Sequence, residues 1–141
     1  MFDPEVLQQA QTYIRVNEAC RLVPYQCTAG KITIGWGRNL SDNGISEWEA
    51  GMLFQADYSN AMADCIAIWP EFPTFPDDAQ IALLDMAYNL GHTRLRRFRK
   101  LIRAVKRGKW HEAAQEIENS KYFEQVTERA TSNRNKVRFC R

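Results

Sequence analysis

Long apolar runs are missing from this chain: no stretch of its 141 residues approaches the roughly 20 needed to span a bilayer. The opening Met-Phe-Asp-Pro-Glu offers neither a basic leader nor an apolar segment. No secretion signal is therefore expected, and the chain reads as soluble and made in a cytosol. Histidine is scarce, with only His92 and His111, and the four cysteines (Cys20, Cys27, Cys65 and Cys140) show no CxxC spacing. That argues against a zinc site. Spacing assigns no disulfide, so free thiols are the expectation for cytosolic synthesis. Internal repeats and low-complexity linkers are absent too. At 45% hydrophobic, the composition fits one globular domain that buries a core without staples.

Basic residues are sparse in the first part of the chain and acidic ones in the last. Residues 1–90 carry 4 Lys/Arg against 12 Asp/Glu, and residues 91–141 carry 15 against 5. Eight of the fourteen residues in 94–107 are Arg or Lys. An anionic partner for this part is one reading: nucleic acid, lipopolysaccharide or acidic wall polymers. A solvated helix face is the other. The segment has a full apolar stripe and no interleaved exposed aromatics, which disfavours nucleic acid.

Helical signals dominate. Asp3-Pro4 caps and opens a helix whose apolar positions Val6, Leu7, Ala10, Tyr13 and Ile14 share one face. Glu18 continues that stripe and is expected on the core side, where burial makes a carboxyl costly to ionise. Pro24, Gly30, Gly35 and Gly37 then exclude helix, Thr28-Ala-Gly30 is a turn, and Lys31–Trp36 alternates as a strand. Two or three antiparallel strands are expected here. Ser46 and Glu49 form a capping box for a helix to about Ile68. Pro73 and Pro76 keep the next segment extended.

A helix apolar nearly all round starts at Asp77 and ends at Gly91, with Asp85 and Asn89 as polar exceptions on one side. Asp85 pairs with Arg38 or contacts sugar. Thr93–Arg107 reads as one basic helix with Leu95, Phe98, Leu101, Ile102 and Val105 as its core stripe. Lys109–Asn119, a turn at Lys121–Gln125, and Thr127–Arg138 follow. The order gives an α+β fold: a sheet lobe at about 21–45, a connecting helix at about 46–68, and a helical lobe of 1–20 and 70–141, with a groove between lobes. Core packing is expected of Trp36, Trp48, Trp69 and Trp110.

The densest chemistry lies in Val16-Asn-Glu-Ala-Cys-Arg-Leu-Val-Pro-Tyr-Gln-Cys-Thr-Ala-Gly-Lys-Ile-Thr-Ile-Gly-Trp-Gly37, where Glu18, Cys27 and Thr33 sit nine and then six positions apart. This run resembles the catalytic lip of the T-even type phage lysozymes (glycoside hydrolase family 24). Asn43-Gly-Ile-Ser46, Leu84–Gly91, Lys109–Ala114 and Gln125 with Arg129-Ala130 resemble their counterparts in order and spacing, so the likeness covers nearly the whole chain.

The resemblance implies a lysozyme-like domain over residues 1–141. It implies cleavage of the β-1,4 bond between N-acetylmuramic acid and N-acetylglucosamine in peptidoglycan, with inversion. Glu18 would donate the proton, with Cys27 and Thr33 holding the attacking water. Asn39, Tyr88 and Asn89 match sugar-contacting positions; Gln125 and Arg129 match site-supporting ones. Neither metal nor cofactor is implied. An endolysin of this kind is a monomer held in the host cytoplasm until a holin-type pore admits it to the wall, where its partner is peptidoglycan and no nucleic acid is expected; the basic segment adds an anionic envelope surface as a second expected partner. Two positions depart from the family pattern: Ala19 stands where Gly is usual, and Gly37-Arg38 replaces the common Gly-His.

Three other activities fit parts of the sequence. A lytic transglycosylase would leave a 1,6-anhydro product. Cys27 with His92 or His111 would make a cysteine amidase or peptidase, which the spacing does not favour. A non-catalytic wall or nucleic-acid binder would rely on 94–107.

Overall fold

The computed structural model describes residues 1–141, and they divide into two compact units, Met1–Gly51 and Met52–Arg141. The class is α+β, as the sequence predicts. No helix is long and apolar enough to cross a membrane.

In the first unit, helix α1 (Pro4–Glu18) opens as expected, with the Asp3 carboxylate accepting from the Glu5 N–H at 2.9 Å. Strands β1 (Arg21–Gln26), β2 (Ile32–Gly35) and β3 (Arg38–Asn39) form an antiparallel sheet in the order β1-β2-β3. Pro24 falls where the β1–β2 register shifts, between Arg21 and Tyr25. A residue without an N–H is tolerated at such an irregularity on an edge strand. The short helix α2 (Leu40–Asn43), which the sequence did not suggest, is capped by the Asn39 side chain accepting from the Asp42 N–H. Ser41 Oγ accepts the Ile32 N–H at 2.9 Å, and Lys31 pairs with Asp42 at 2.9 Å. Polar bonds hold this unit together, for Thr33 is the one buried residue within 1–51.

That corrects an expectation. The stripe Val6, Leu7, Tyr13 and Ile14 is exposed, as is Glu18, and α1 buries no residue. Nothing in its own unit covers the stripe. Periodicity says that a face is apolar; it does not supply the cover.

Helix α3 (Glu47–Ile68) begins with the expected capping box. The Ser46 N–H and hydroxyl both donate to Glu49 Oε2 at 2.8 and 3.0 Å, and the Glu49 N–H donates back to Ser46 Oγ at 3.2 Å. These bonds, led by the Ser46 N–H, hold the Glu49 carboxyl below its usual range. The proline segment is not wholly extended, because Phe72–Thr74 closes one 3₁₀ turn.

The second unit is the core. Helices α4 (Asp77–Leu95), α5 (Arg99–Lys106), α6 (Trp110–Glu118), α7 (Lys121–Gln125) and α8 (Thr127–Arg138) pack with α8 against α4, α6 and α7, and α6 against α5. Trp69, Leu83, Met86, Leu95, Leu101 and Ile117 are fully buried at its centre. Phe75 meets Trp69, Phe72 and Trp110 edge-on, with ring centroids 6.4, 5.8 and 5.3 Å apart. Such pairs add about 0.5–1.5 kcal/mol each beyond burial. Trp69 and Trp110 therefore pack as expected, whereas Trp36 and Trp48 are exposed.

Two boundaries differ from expectation. Gly91 (φ 72°) kinks α4 rather than ending it. The basic segment is not one helix over Thr93–Arg107: α4 takes its first residues and a turn at Arg96–Phe98 precedes α5. Like charges at Arg96, Arg97, Arg99 and Lys100 do not favour a continuous helix there. The expected stripe still points inward, with Leu95, Leu101 and Val105 buried and Phe98 and Ile102 half-buried.

Candidate active site

Glu18 is the last residue of α1, and the chain reverses at Ala19 to enter β1. Arg15, one turn earlier, lies over the Trp36 ring at 4.9 Å, which ties the end of α1 to the β2–β3 turn. The Glu18 carboxyl rests on that turn at Gly37. A Cβ built on Gly37 would lie 2.8 Å from Glu18 Cδ and collide with Oε2, and its φ of +74° already favours glycine. Exposed as it is, Glu18 is therefore placed against the hairpin.

Ala19 is the only residue other than glycine with a positive φ (53°, ψ 146°). An L-residue there stores about 1–3 kcal/mol of strain. Glycine would remove it at the cost of extra unfolded-chain entropy, about 0.5–1 kcal/mol. Ala19→Gly should therefore stabilise the protein by about 1 kcal/mol, a rise of roughly 3–5 °C in a thermal melt. An unchanged or lower melting temperature would mean that Ala19 bears no strain.

Cys27 begins the loop joining β1 to β2, and its N–H donates to the Lys31 carbonyl at 2.9 Å. Hydrogen bonds from the backbone at Lys31, then Ala29, hold its thiol below the usual range; burial opposes them weakly and the Thr33 hydroxyl adds to them. Thr33 stands in β2, register partner of Tyr25 on one side and of Asn39 on the other. Its hydroxyl donates to the Lys31 carbonyl at 3.1 Å. A thiol lowered in this way is closer to thiolate than an ordinary cysteine. Asn39 is committed locally: it caps α2, and its Nδ2 donates to Asp42 Oδ2 at 2.9 Å.

The remaining candidates lie in the second unit. Tyr88 and Asn89 are exposed on α4, Tyr88 with its ring 5.6 Å from that of Phe54. Gln125 accepts from Arg94 Nη2 at 3.3 Å. Arg129 grips Asp85 with two bonds, Nε to Oδ2 at 2.8 Å and Nη2 to Oδ1 at 2.6 Å. Asn133 Nδ2 donates to Asp85 Oδ2 at 2.7 Å and to the Tyr122 hydroxyl at 3.1 Å. Burial opposes ionisation of Asp85, but the bonds from Arg129 and Asn133 outweigh it and keep the carboxyl below its usual range.

Asp85 is accordingly not the partner of Arg38, which instead pairs with Glu49 and donates to the Gly44 carbonyl at 3.3 Å. Sequence reading missed Asn133. A signal existed, since Arg129 and Asn133 are four apart on α8 and present two donors on one side. His92 Nδ1 meets Asp64 Oδ1 at 2.5 Å, and nowhere do three His, Cys, Asp or Glu side chains gather to hold a metal ion.

Two comparisons bear on this geometry. The family profile described as phage lysozyme matches residues 15–136, a span that includes Glu18, Cys27, Thr33, Asp85 and Arg129. A curated relative, "Probable T4-type lysozyme 2" of Dictyostelium discoideum, is 25% identical over 146 residues, covering 83% of this chain and 86% of its own length.

Proposed function

Because the chain belongs to the phage lysozyme family, we propose that it is an endolysin that hydrolyses the β-1,4 bond between N-acetylmuramic acid and N-acetylglucosamine with inversion. It is a glycoside hydrolase of the lysozyme type, with bacterial peptidoglycan as substrate. The observation that carries the detailed reading is the seating of the Glu18 carboxyl on Gly37, in the β2–β3 turn of the sheet whose β1–β2 loop holds Cys27 and whose strand β2 holds Thr33.

In this reading Glu18 gives its proton to the departing glycosidic oxygen. Cys27, poised toward thiolate by the Lys31 and Ala29 backbone, draws a proton from water attacking the opposite face of the sugar. The Thr33 hydroxyl, directed by the Lys31 carbonyl, orients that water. Asn39, Tyr88 and Asn89 contact sugar. Gln125 and Arg129 support the site, with Arg129 held in one orientation by its two bonds to Asp85. The residues 1–141 act as one lysozyme-like domain and as a monomer. The enzyme waits in the host cytoplasm and reaches the wall through a holin-type pore during lysis.

Product analysis tests this reading. Mass spectrometry of digested peptidoglycan should show free reducing ends, and early time points by NMR should show the α anomer. A 1,6-anhydro product would make the enzyme a lytic transglycosylase, and a β anomer would exclude inversion.

A further inference from the structure

The basic segment remains unexplained by hydrolysis. Nine Lys and Arg residues fall within 94–109 with no acid among them, and all nine are exposed. None of the seven salt bridges uses any of them, or Lys121. Of the nine other Lys and Arg residues, six are paired at close range, for instance Lys136 on Asp78 at 3.0 Å and Arg138 on Glu118 at 2.8 Å. So much unpaired like charge on one short segment costs self-repulsion that a bound anion would relieve.

The surface is also concave. A recess of about 560 Å³ is lined by Arg97, Arg99, Lys100, Lys121, Glu116 and Asn119. A second recess, of about 240 Å³, adds Arg103 and Arg107 and shares Lys100 and Glu116. The apolar side of α5 is already spent in the core, where Leu101, Ala104 and Val105 are buried. This helix therefore has no face left to insert between lipid chains. Two acids stand among these cations, the exposed Glu112 in the second recess and Glu116 in both; Glu116 is the informative one, a half-buried carboxylate that forms no salt bridge. A bare phosphate backbone would be repelled there, whereas a sugar hydroxyl or amine beside a phosphate would find an acceptor. No exposed aromatic lines either recess on which a base could stack.

We propose that this double recess binds phosphorylated sugars of an anionic bacterial envelope glycan, the cations taking phosphate and Glu116 with Asn119 taking the sugar. The choice of an envelope glycan rests on the wall-directed reading above. Binding itself is measured without turnover, so an inactive enzyme and a missing site give different results.

Calorimetric titration of the full chain tests it, using the phosphorylated core oligosaccharide of lipopolysaccharide, the same oligosaccharide dephosphorylated, and duplex DNA. The phosphorylated glycan should bind, and its log affinity should fall linearly with log salt. The dephosphorylated one should bind at least about tenfold more weakly. Replacing Arg97, Arg99 and Lys100 together with Gln, a good helix former, should lower the slope by about 1 for each cation that meets a phosphate. Hydrolysis of purified peptidoglycan should stay unchanged in that variant. Glu116→Gln should weaken the glycan severalfold while strengthening DNA. Equal binding of the two oligosaccharides, an unaltered triple variant, or DNA that outcompetes the glycan would each overturn the proposal.

Discussion

Glu18→Gln should lose wall-degrading activity by about a thousandfold or more with its fold intact. A positioned general acid supplies typically 10²–10⁴ in rate, and a thousandfold loss corresponds to about 4 kcal/mol at the transition state. The amide keeps the shape of the side chain but has no proton acidic enough to give to a leaving alkoxide. Glu18 is exposed and takes part in none of the seven salt bridges. Its replacement should therefore move stability by no more than about 0.5 kcal/mol. Clearing of peptidoglycan suspensions and a circular-dichroism melt separate the two effects. Near-full activity in a folded variant would remove Glu18 from the chemistry.

Much of this arrangement was legible in the sequence because the signals are local. Ser46 and Glu49 announce their reciprocal bonds three residues apart, and Thr127–Arg138 is read to the residue by α8. A small antiparallel sheet follows from glycines and alternation between Pro24 and Gly37, while its third strand, Arg38–Asn39, lies beyond that stretch. What escaped was set by partners distant in sequence. Charge alone makes Arg38 and Arg129 equal candidates for Asp85. The choice depends on packing α8 against α4, and Arg38 is taken by Glu49. The stripe on α1 was visible as apolar, yet its first unit provides nothing to bury it. Thr33 reads as an ordinary strand threonine, but sits buried between two register partners with its hydroxyl tied to Lys31. Ala19 is the reverse case: one departure from family habit located a backbone reversal that an L-residue adopts only under strain.

The sharpest chemical question is how a thiol does what a carboxylate would do. Replacing Cys27 with Ala should cost about 10²-fold or more, the usual contribution of a general base, while Cys27→Asp should remain active. The pH profile distinguishes a base from a packing residue. Activity that needs thiolate rises with pH through the thiol titration. The backbone of Lys31 and Ala29 lowers that titration from its ordinary position. The rising limb should therefore lie lower in the wild type than in the unfolded, unperturbed thiol and move toward pH ~4 in Cys27→Asp, where a carboxyl titrates. In Cys27→Ala the limb should vanish along with the activity. Alkylation supplies an independent reading, because Cys65 is fully buried with its thiol pushed up to about 12 and should not react in the folded protein. In a Cys20→Ser background, iodoacetamide should inactivate the enzyme at a rate that follows the same limb as turnover. If the Ala variant keeps full activity and an unshifted profile, Cys27 only packs, and water activation passes to Thr33 and the charge developing on the sugar.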